Sequence, residues 1–385
     1  MLRLLFGRWR RHGRPAEGYS ILLPTPMDMP FLLRYALEGL RHVDTSHCQQ
    51  ILVISDGWGS NGHGLRRVVE SAGDPRIELI ELRPAARMVT RRPKKAAGLA
   101  ASNAASNTHW ATIVEGIDAA RCEYCFLHDA DAFFLDDDGL ERQYRECQNR
   151  GLDTLGVEAR SDSFFVDRGY LIPGTWELMF STRWARRRDP TTLKGRRRSS
   201  PHGIYVFDNM LYPQYLDFPT GKIGLMDCPP RFAHFSSAVI TYRVFRYGPR
   251  PKVVDELFRI LFLALLEEVW LEEQSLEQGT LEKRTFVGKP SARALPSVAE
   301  LARGLSDPNA SVTYDSPVAT SEYPTFRQLI EDLCQCPIMQ GRRAKRILTL
   351  IDPFDEHFQE RLQHAADQTS LTLRGPRQGR LHGLG

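Results

Sequence analysis

The sequence predicts an α/β domain, a mostly parallel sheet with helices on both faces, followed by a helical C-terminal appendage. Three observations predict it. Apolar runs of strand length recur at residues 19–24, 51–54, 77–82 and 124–127, stretches with apolar residues at helical spacing separate them, and the runs end in turn-forming or acidic residues such as Pro24-Thr25-Pro26, Asp56-Gly57 and His128-Asp129. Fully apolar strands alternating with helices indicate a parallel sheet covered on both sides. From residue 251 the pattern changes. The chain therefore divides into a basic start (1–17), the α/β domain (18–250), a helical region (251–372) and a Gly/Arg tail (373–385) expected to be disordered.

A chain of 385 residues can bury a large core. With 42% hydrophobic and 25% charged residues and a formal net charge of +4, the composition is that of a globular protein and argues against a general nucleic-acid-binding surface. The apolar residues Leu2, Leu4, Leu5 and Phe6 form a stretch too short for a signal peptide, with no small-residue cleavage site. With Arg8, Arg10 and Arg11 the start reads as a frayed terminus or as a peripheral contact with an anionic membrane surface. Seven cysteines, an odd number, argue for reduced thiols and a cytoplasmic location, peripheral to the inner face of a membrane if the basic start engages lipid. Cys122 and Cys125 have CxxC spacing, but three apart on one strand they face opposite sides and cannot share a metal. No apolar run approaches the ~20 residues needed to span a bilayer.

Taken in order, residues 19–26 read as a strand stopped by prolines, followed by a helix over about 29–41. A second apolar strand over 51–54 ends in Ser55-Asp56-Gly57, and a polar helix over 64–71 leads to a third strand over 77–82. Arg91, Arg92, Lys94 and Lys95 then open an Ala-rich helix that runs to about 120, and cations at a helix start suit a phosphate neighbour, although a packed helix with a solvated basic start explains them equally. The next strand ends in His128-Asp129-Ala130-Asp131. Strand alternation puts both carboxylates on one side, where they repel unless a hard oxygen-seeking ion such as Mg²⁺ or Mn²⁺ lies between them. The alternative is a strand end capped by solvated aspartates. Ligands of parallel sheets bind beyond the carboxyl ends of the strands, so one crevice could collect Pro24, Thr25, Asp56, Asp129 and Asp131.

In this order, residues 18 to about 245 resemble a GT-A glycosyltransferase, most like the family 2 type. The resemblance rests on the Pro-terminated first strand, on Ser55-Asp56-Gly57, on the helix over 94–107 with its Gly-x-x-x-x-Asn pattern (Gly98, Asn103), and on Asp129-Ala130-Asp131. It implies a nucleotide-sugar donor and transfer of a hexosyl or related sugar, with inversion, to a glycan, polysaccharide or lipid-linked acceptor. It implies that Asp56 meets the nucleobase, that Pro24, Thr25, Lys94, Lys95, Asn103 and Asp129 line the donor site, and that Asp129 and Asp131 hold Mn²⁺ or Mg²⁺ on the diphosphate. A later histidine, here His234, joins the metal or diphosphate in several GT-A enzymes. Trp58-Gly59-Ser60-Asn61 departs from the usual Ser/Thr-Asp ending after the second strand.

Beyond the Asp pair, residues 136–151 read as an amphipathic helix with an acidic start and 155–159 as a strand. Residues 181–200 hold eight cations (Arg183, Arg186, Arg187, Arg188, Lys194, Arg196, Arg197, Arg198) against the single acid Asp189. That density predicts a mobile, self-repelling loop that closes over a diphosphate or acidic acceptor, or else a solvated surface. Asp208, at the end of an apolar run and the start of a helix, is the first candidate for the acceptor base. Glu177, next to Trp176 as a sugar platform, is the second. Residues 252–276 predict a buried apolar helix, with shorter helices over 326–333 and 344–350. Two other functions fit the same pattern: a nucleotidyltransferase, though no Gly-rich loop follows the first strand, and an inactive nucleotide-sugar-binding scaffold.

Overall fold

The computed structural model describes residues 9, 13–57, 63–83, 99–247, 257–278, 297–301 and 327–353, with 63, 99–106, 244–247, 257–258 and 276–278 in backbone only. The chain forms two compact units. The first comprises Met1–Ile240 with Glu282–Ala292 and Cys336–Ile338, and the second comprises Thr241–Leu281, Arg293–Gln335 and Met339–Gly385.

The first unit is built on a seven-stranded sheet. Its strands are β1 (Ala16–Thr25), β2 (Cys48–Ser55), β3 (Ile77–Glu81), β4 (Cys122–Leu127), β6 (Thr154–Gly156), β7 (Leu178–Ser181) and β10 (Ile223–Leu225), in the order β10-β6-β7-β4-β1-β2-β3. Pairing is parallel except at β7, which runs antiparallel to both β4 and β6. Alternation sorts the apolar side chains to two faces. Leu22, Leu52, Ile54, Cys125, Leu127, Leu178 and Phe180 join one core cluster with Trp110, Ile113, Val114 and Ile117 of the helix α3 (Leu99–Ala119). That helix approaches closely: a Cβ at Gly116 would lie 3.1 Å from Ile54 and 3.2 Å from Leu22. On the opposite face Tyr19 donates to Glu141 of the helix α4 (Gly139–Asn149) and packs on Tyr144. The mostly parallel sheet with helices against both faces is the α/β architecture anticipated from the sequence.

Strands β5 (Ala132–Phe134) and β11 (Phe232–His234) form a separate antiparallel pair, and β8 (Arg196–Ser200) and β9 (Gly203–Phe207) form a hairpin. Apolar patterning does not announce β5, β7, β10 or β11. Each has only three or four residues, too few for alternation to show, and each exists through partners far along the chain.

The Arg-rich segment is not the self-repelling loop expected. It folds as a helix (Thr182–Arg186), a 3₁₀ turn (Pro190–Thr192) and the strand β8. Several of its cations are anchored, while Arg183, Arg196 and Arg197 are exposed. Arg186 donates to the carbonyls of Ile117 and Ala120, both at 2.6 Å, at the end of α3. Arg187 and Arg188 both pair with Asp217, and Arg188 lies 4.8 Å over the Trp184 ring. Lys194 sits 5.7 Å from the Trp110 ring, and Arg198 sits 4.1 Å over Tyr212 while donating to the carbonyls of Thr191 and Thr192. Asp217, some thirty residues further along the chain, answers charge that the segment itself leaves unbalanced.

In the second unit the helix Leu257–Gln278 buries Ile260 to Leu266 and Val269, as its apolar sequence requires. Arg343 and Arg346, on the helix over 342–353, pair with Glu273 and Glu272 on it. Among the described residues no helix is long and apolar enough to cross a membrane, and all seven cysteines are free thiols.

Candidate metal and donor site

The carboxyl ends of β1, β2 and β4 lie side by side. Thr25 is paired with Ser55 across β1 and β2, and the His128 N–H donates to the Leu22 carbonyl at 3.0 Å, continuing the β1–β4 ladder. Asp56 is 6% exposed. Its N–H donates to the Thr25 carbonyl at 3.1 Å, and its carboxylate accepts the Met27 N–H at 3.2 Å. Asp56 thus braces the turn after β1. The Thr25 hydroxyl donates to its own strand at the Leu23 carbonyl (2.9 Å), and Pro24 is half-buried within β1. Lys94 and Lys95 lie outside the described residues, as does the segment 58–62 that departs from the family pattern. Asn103 lies on α3, where only the backbone is described.

The Asp pair is brought together differently from the sequence expectation. Strand β4 ends at Leu127, and a turn closed by the Ala132 N–H on the Asp129 carbonyl (3.1 Å) carries Asp129 and Asp131 together. A turn, not the pleat of a continuing strand, sets their geometry. Strand β5 then pairs with β11, with His234 opposite Ala132, and the Phe235 N–H donates to the Asp131 carbonyl at 3.0 Å. His234 Nε2 consequently lies 3.9 Å from Asp129 Oδ2 and 3.9 Å from Asp131 Oδ1. One ligand atom from each of the three residues falls within 4.8 Å of the others.

Burial and the neighbouring Asp129 charge push the Asp131 carboxyl well above the usual carboxylate range, against the pull of the backbone N–H groups of Asp131 and Ala238. Burial pushes the His234 imidazole down, toward the neutral form that a metal ligand needs. Two mutually repelling carboxylates and a neutral imidazole are a donor set that fits a hard or borderline divalent cation such as Mn²⁺ or Mg²⁺.

Glu177 and Asp208, the two candidates for the acceptor base, occupy very different surroundings. Glu177 is fully buried (0% exposed). Both its carboxylate oxygens face His128 Nδ1, at 2.8 and 2.9 Å, and one also accepts the Asp129 N–H at 3.1 Å. It is therefore not presented to an acceptor, because burial and this network enclose it. Asp208 sits between β9 and the helix Leu211–Asp217, with its side chain 59% exposed and 3.2 Å from Arg160 Nη1. It does not cap that helix: Met210, in a left-handed conformation (φ 65°), is the N-cap. His128 is the participant that sequence reasoning missed. Its only signal was a polar residue between a buried strand and the first Asp.

No protein-family model matches the chain, and no curated protein matches it. Among solved structures the chain is similar to a galactosyltransferase, LgtC, in complex with donor and acceptor sugar analogs, at 13% identity and a TM-score of 0.36, over 54% of this chain and 72% of that one. It is also similar to TarS residues 1–349 of S. aureus, at 11% identity and a TM-score of 0.34, over 88% and 91% of the two chains. A third is the glucosyl-3-phosphoglycerate synthase of Mycobacterium tuberculosis in complex with Mn²⁺, uridine diphosphate and phosphoglyceric acid, at 9% identity and a TM-score of 0.35, over 57% and 74%. What the chain itself shows is a mostly parallel α/β sheet with an Asp-x-Asp turn at the end of its central strand β4.

Proposed function

We propose that the first unit is a metal-assisted glycosyltransferase of the family 2 type, which moves a sugar from a nucleotide-sugar donor to a hydroxyl of a glycan, polysaccharide or lipid-linked acceptor. The observation that carries this reading is the convergence of Asp129, Asp131 and His234 at the carboxyl end of β4. A bound divalent cation would supply charge neutralisation to the leaving diphosphate, held by those three residues.

The chain's own residues supply the rest. By the family pattern Asp56, at the carboxyl end of β2, is the proposed nucleobase contact, with Pro24 and Thr25 beside it in the donor site; the pairing of Thr25 with Ser55 supports this grouping. Lys94, Lys95 and Asn103 are assigned to the diphosphate by the family pattern. Asp208 is the proposed base that takes the proton from the acceptor oxygen. It is exposed, with Arg160 Nη1 3.2 Å from its carboxylate. Attack on the face opposite the leaving diphosphate gives inversion at the anomeric carbon.

The test is a panel of nucleotide sugars, with and without Mn²⁺, read by thermal shift and by nucleoside diphosphate release. A donor that raises the melting temperature only with the metal, and whose diphosphate is released, supports the reading. Binding without turnover would move the protein to the inactive-scaffold class. No response to any donor would remove the proposal.

A further inference from the structure

Trp176 and Glu177, consecutive residues just before β7, touch the candidate metal site from two sides, and neither is among its three ligands. Glu177 reaches His128 and the Asp129 N–H, as described above. The Trp176 ring lies on the His234 ring with centroids 4.4 Å apart and planes 33° from parallel. The two half-sites come from distant parts of the chain, one at the β4 end and the other on β11, and this dipeptide bridges them.

The backbone at the bridge is under constraint. Glu177 has φ 49°, the left-handed region that side chains with a Cβ rarely adopt. Its carboxylate is fully buried. A strained, desolvated acid persists only where its surroundings over-determine it. Here they do. The Glu177 carbonyl accepts from the Gln143 amide at 2.9 Å, and the same amide donates to the Leu155 carbonyl at 2.9 Å, tying the bend to α4 and β6. The first residue of β7, Leu178, is in register with Leu127, the last of β4, which sets Glu177 beside His128. The His128 ring is stacked on Phe134 at 5.4 Å and on Phe126 at 5.9 Å, so it cannot swing away from the carboxylate. Gly174 leaves room for the indole, since a Cβ there would lie 3.3 Å from Trp176 Cδ1 and Nε1.

We infer that Glu177 and Trp176 are positioning residues: Glu177 fixes the start of the Asp129–Asp131 turn through His128 and the Asp129 N–H, and Trp176 fixes the plane of His234. The inference rests on the metal reading of the site. Such outer partners orient the ligating atoms, and their loss typically weakens metal affinity by about 10- to 100-fold.

The experiment is titration of the full-length protein with Mn²⁺ alone, followed by calorimetry and by electron paramagnetic resonance of free Mn²⁺. The expected result is that Glu177→Gln and Trp176→Ala each raise the Mn²⁺ Kd about tenfold or more, and that Trp176→Phe, which keeps a ring on His234, restores affinity to near wild type. Trp176 is only partly buried, so Trp176→Ala tests the inference even if Glu177→Gln fails to fold. Unchanged Mn²⁺ affinity in the folded variants, with wild type binding normally, overturns this inference and leaves the proposed function standing. Absence of Mn²⁺ binding by wild type overturns both.

Discussion

The turn at Asp129 and the segment from Arg183 to Arg198 are both clusters of like charge, and the fold treats them in opposite ways. Arg186, Arg187, Arg188 and Arg198 are dispersed onto carbonyls, aromatic faces and Asp217, while Arg196 and Arg197 stay exposed. The aspartates are instead drawn together, with Asp131 buried beside the Asp129 charge and the nearest imidazole pushed toward its neutral form. Part of the first cluster is neutralised within the chain, whereas the second holds two carboxylates close together beside an imidazole. Charge density in a sequence therefore does not mark a site, whereas charge that the fold concentrates and leaves uncompensated does.

Breaking the uncompensated cluster should have the largest effect. Asp129→Asn and Asp131→Asn are expected to abolish Mn²⁺-dependent donor binding and to lower turnover by roughly 10²-fold or more. Without metal, Asp131→Asn should melt no lower than wild type, because it removes a buried repulsion. Melting curves with and without Mn²⁺ check both signs, and a variant whose donor still binds in a metal-dependent way would sink the assignment.

Next in size is Asp208→Asn, expected to keep donor affinity and lose about 10²-fold in kcat. Steady-state kinetics beside donor titration separate the two, and full activity in this variant would require another base.

Breaking the neutralised cluster should instead cost stability. Asp217 accepts from the Trp184 indole N–H at 2.7 Å and pairs with Arg187 and Arg188. Asp217→Asn is expected to destabilise the fold by about 1–3 kcal/mol and to leave Mn²⁺ affinity unchanged. Burial works to raise the Asp217 carboxyl, but the Trp184 hydrogen bond and the Arg188 charge prevail and hold it below the usual carboxylate value. The stability it contributes is therefore present above the unfolded-chain value near pH 4 and lost as pH falls through the lower folded value. Denaturant titrations between about pH 2 and 5 should show this loss in wild type and a flatter profile in the variant.

The smallest effect separates the arginines of β8. Arg198→Ser removes the contact with Tyr212 and two carbonyl bonds and should cost about 0.5–1 kcal/mol. Arg196→Ser with Arg197→Ser, both exposed, should shift the melting temperature by less. Equal losses in the two variants would return the segment to an undifferentiated charged surface.

The sequence alone determined the parallel half of the sheet and the position of the Asp pair, because apolar runs and turn residues are local signals. Residues 19–24, 51–54 and 124–127 appear as β1, β2 and β4, with Asp56 and Asp129 just beyond two of them. The tertiary structure decided what those residues meet. Pairing of β11 with β5 places His234 opposite Ala132, and the antiparallel insertion of β7 buries Glu177 against His128. Asp217 reaches Arg188 from outside the segment whose charges were summed. Each of these contacts closes a long loop between short strands or single side chains, and neither periodicity nor propensity encodes which distant residue will complete a ligand set or answer a charge.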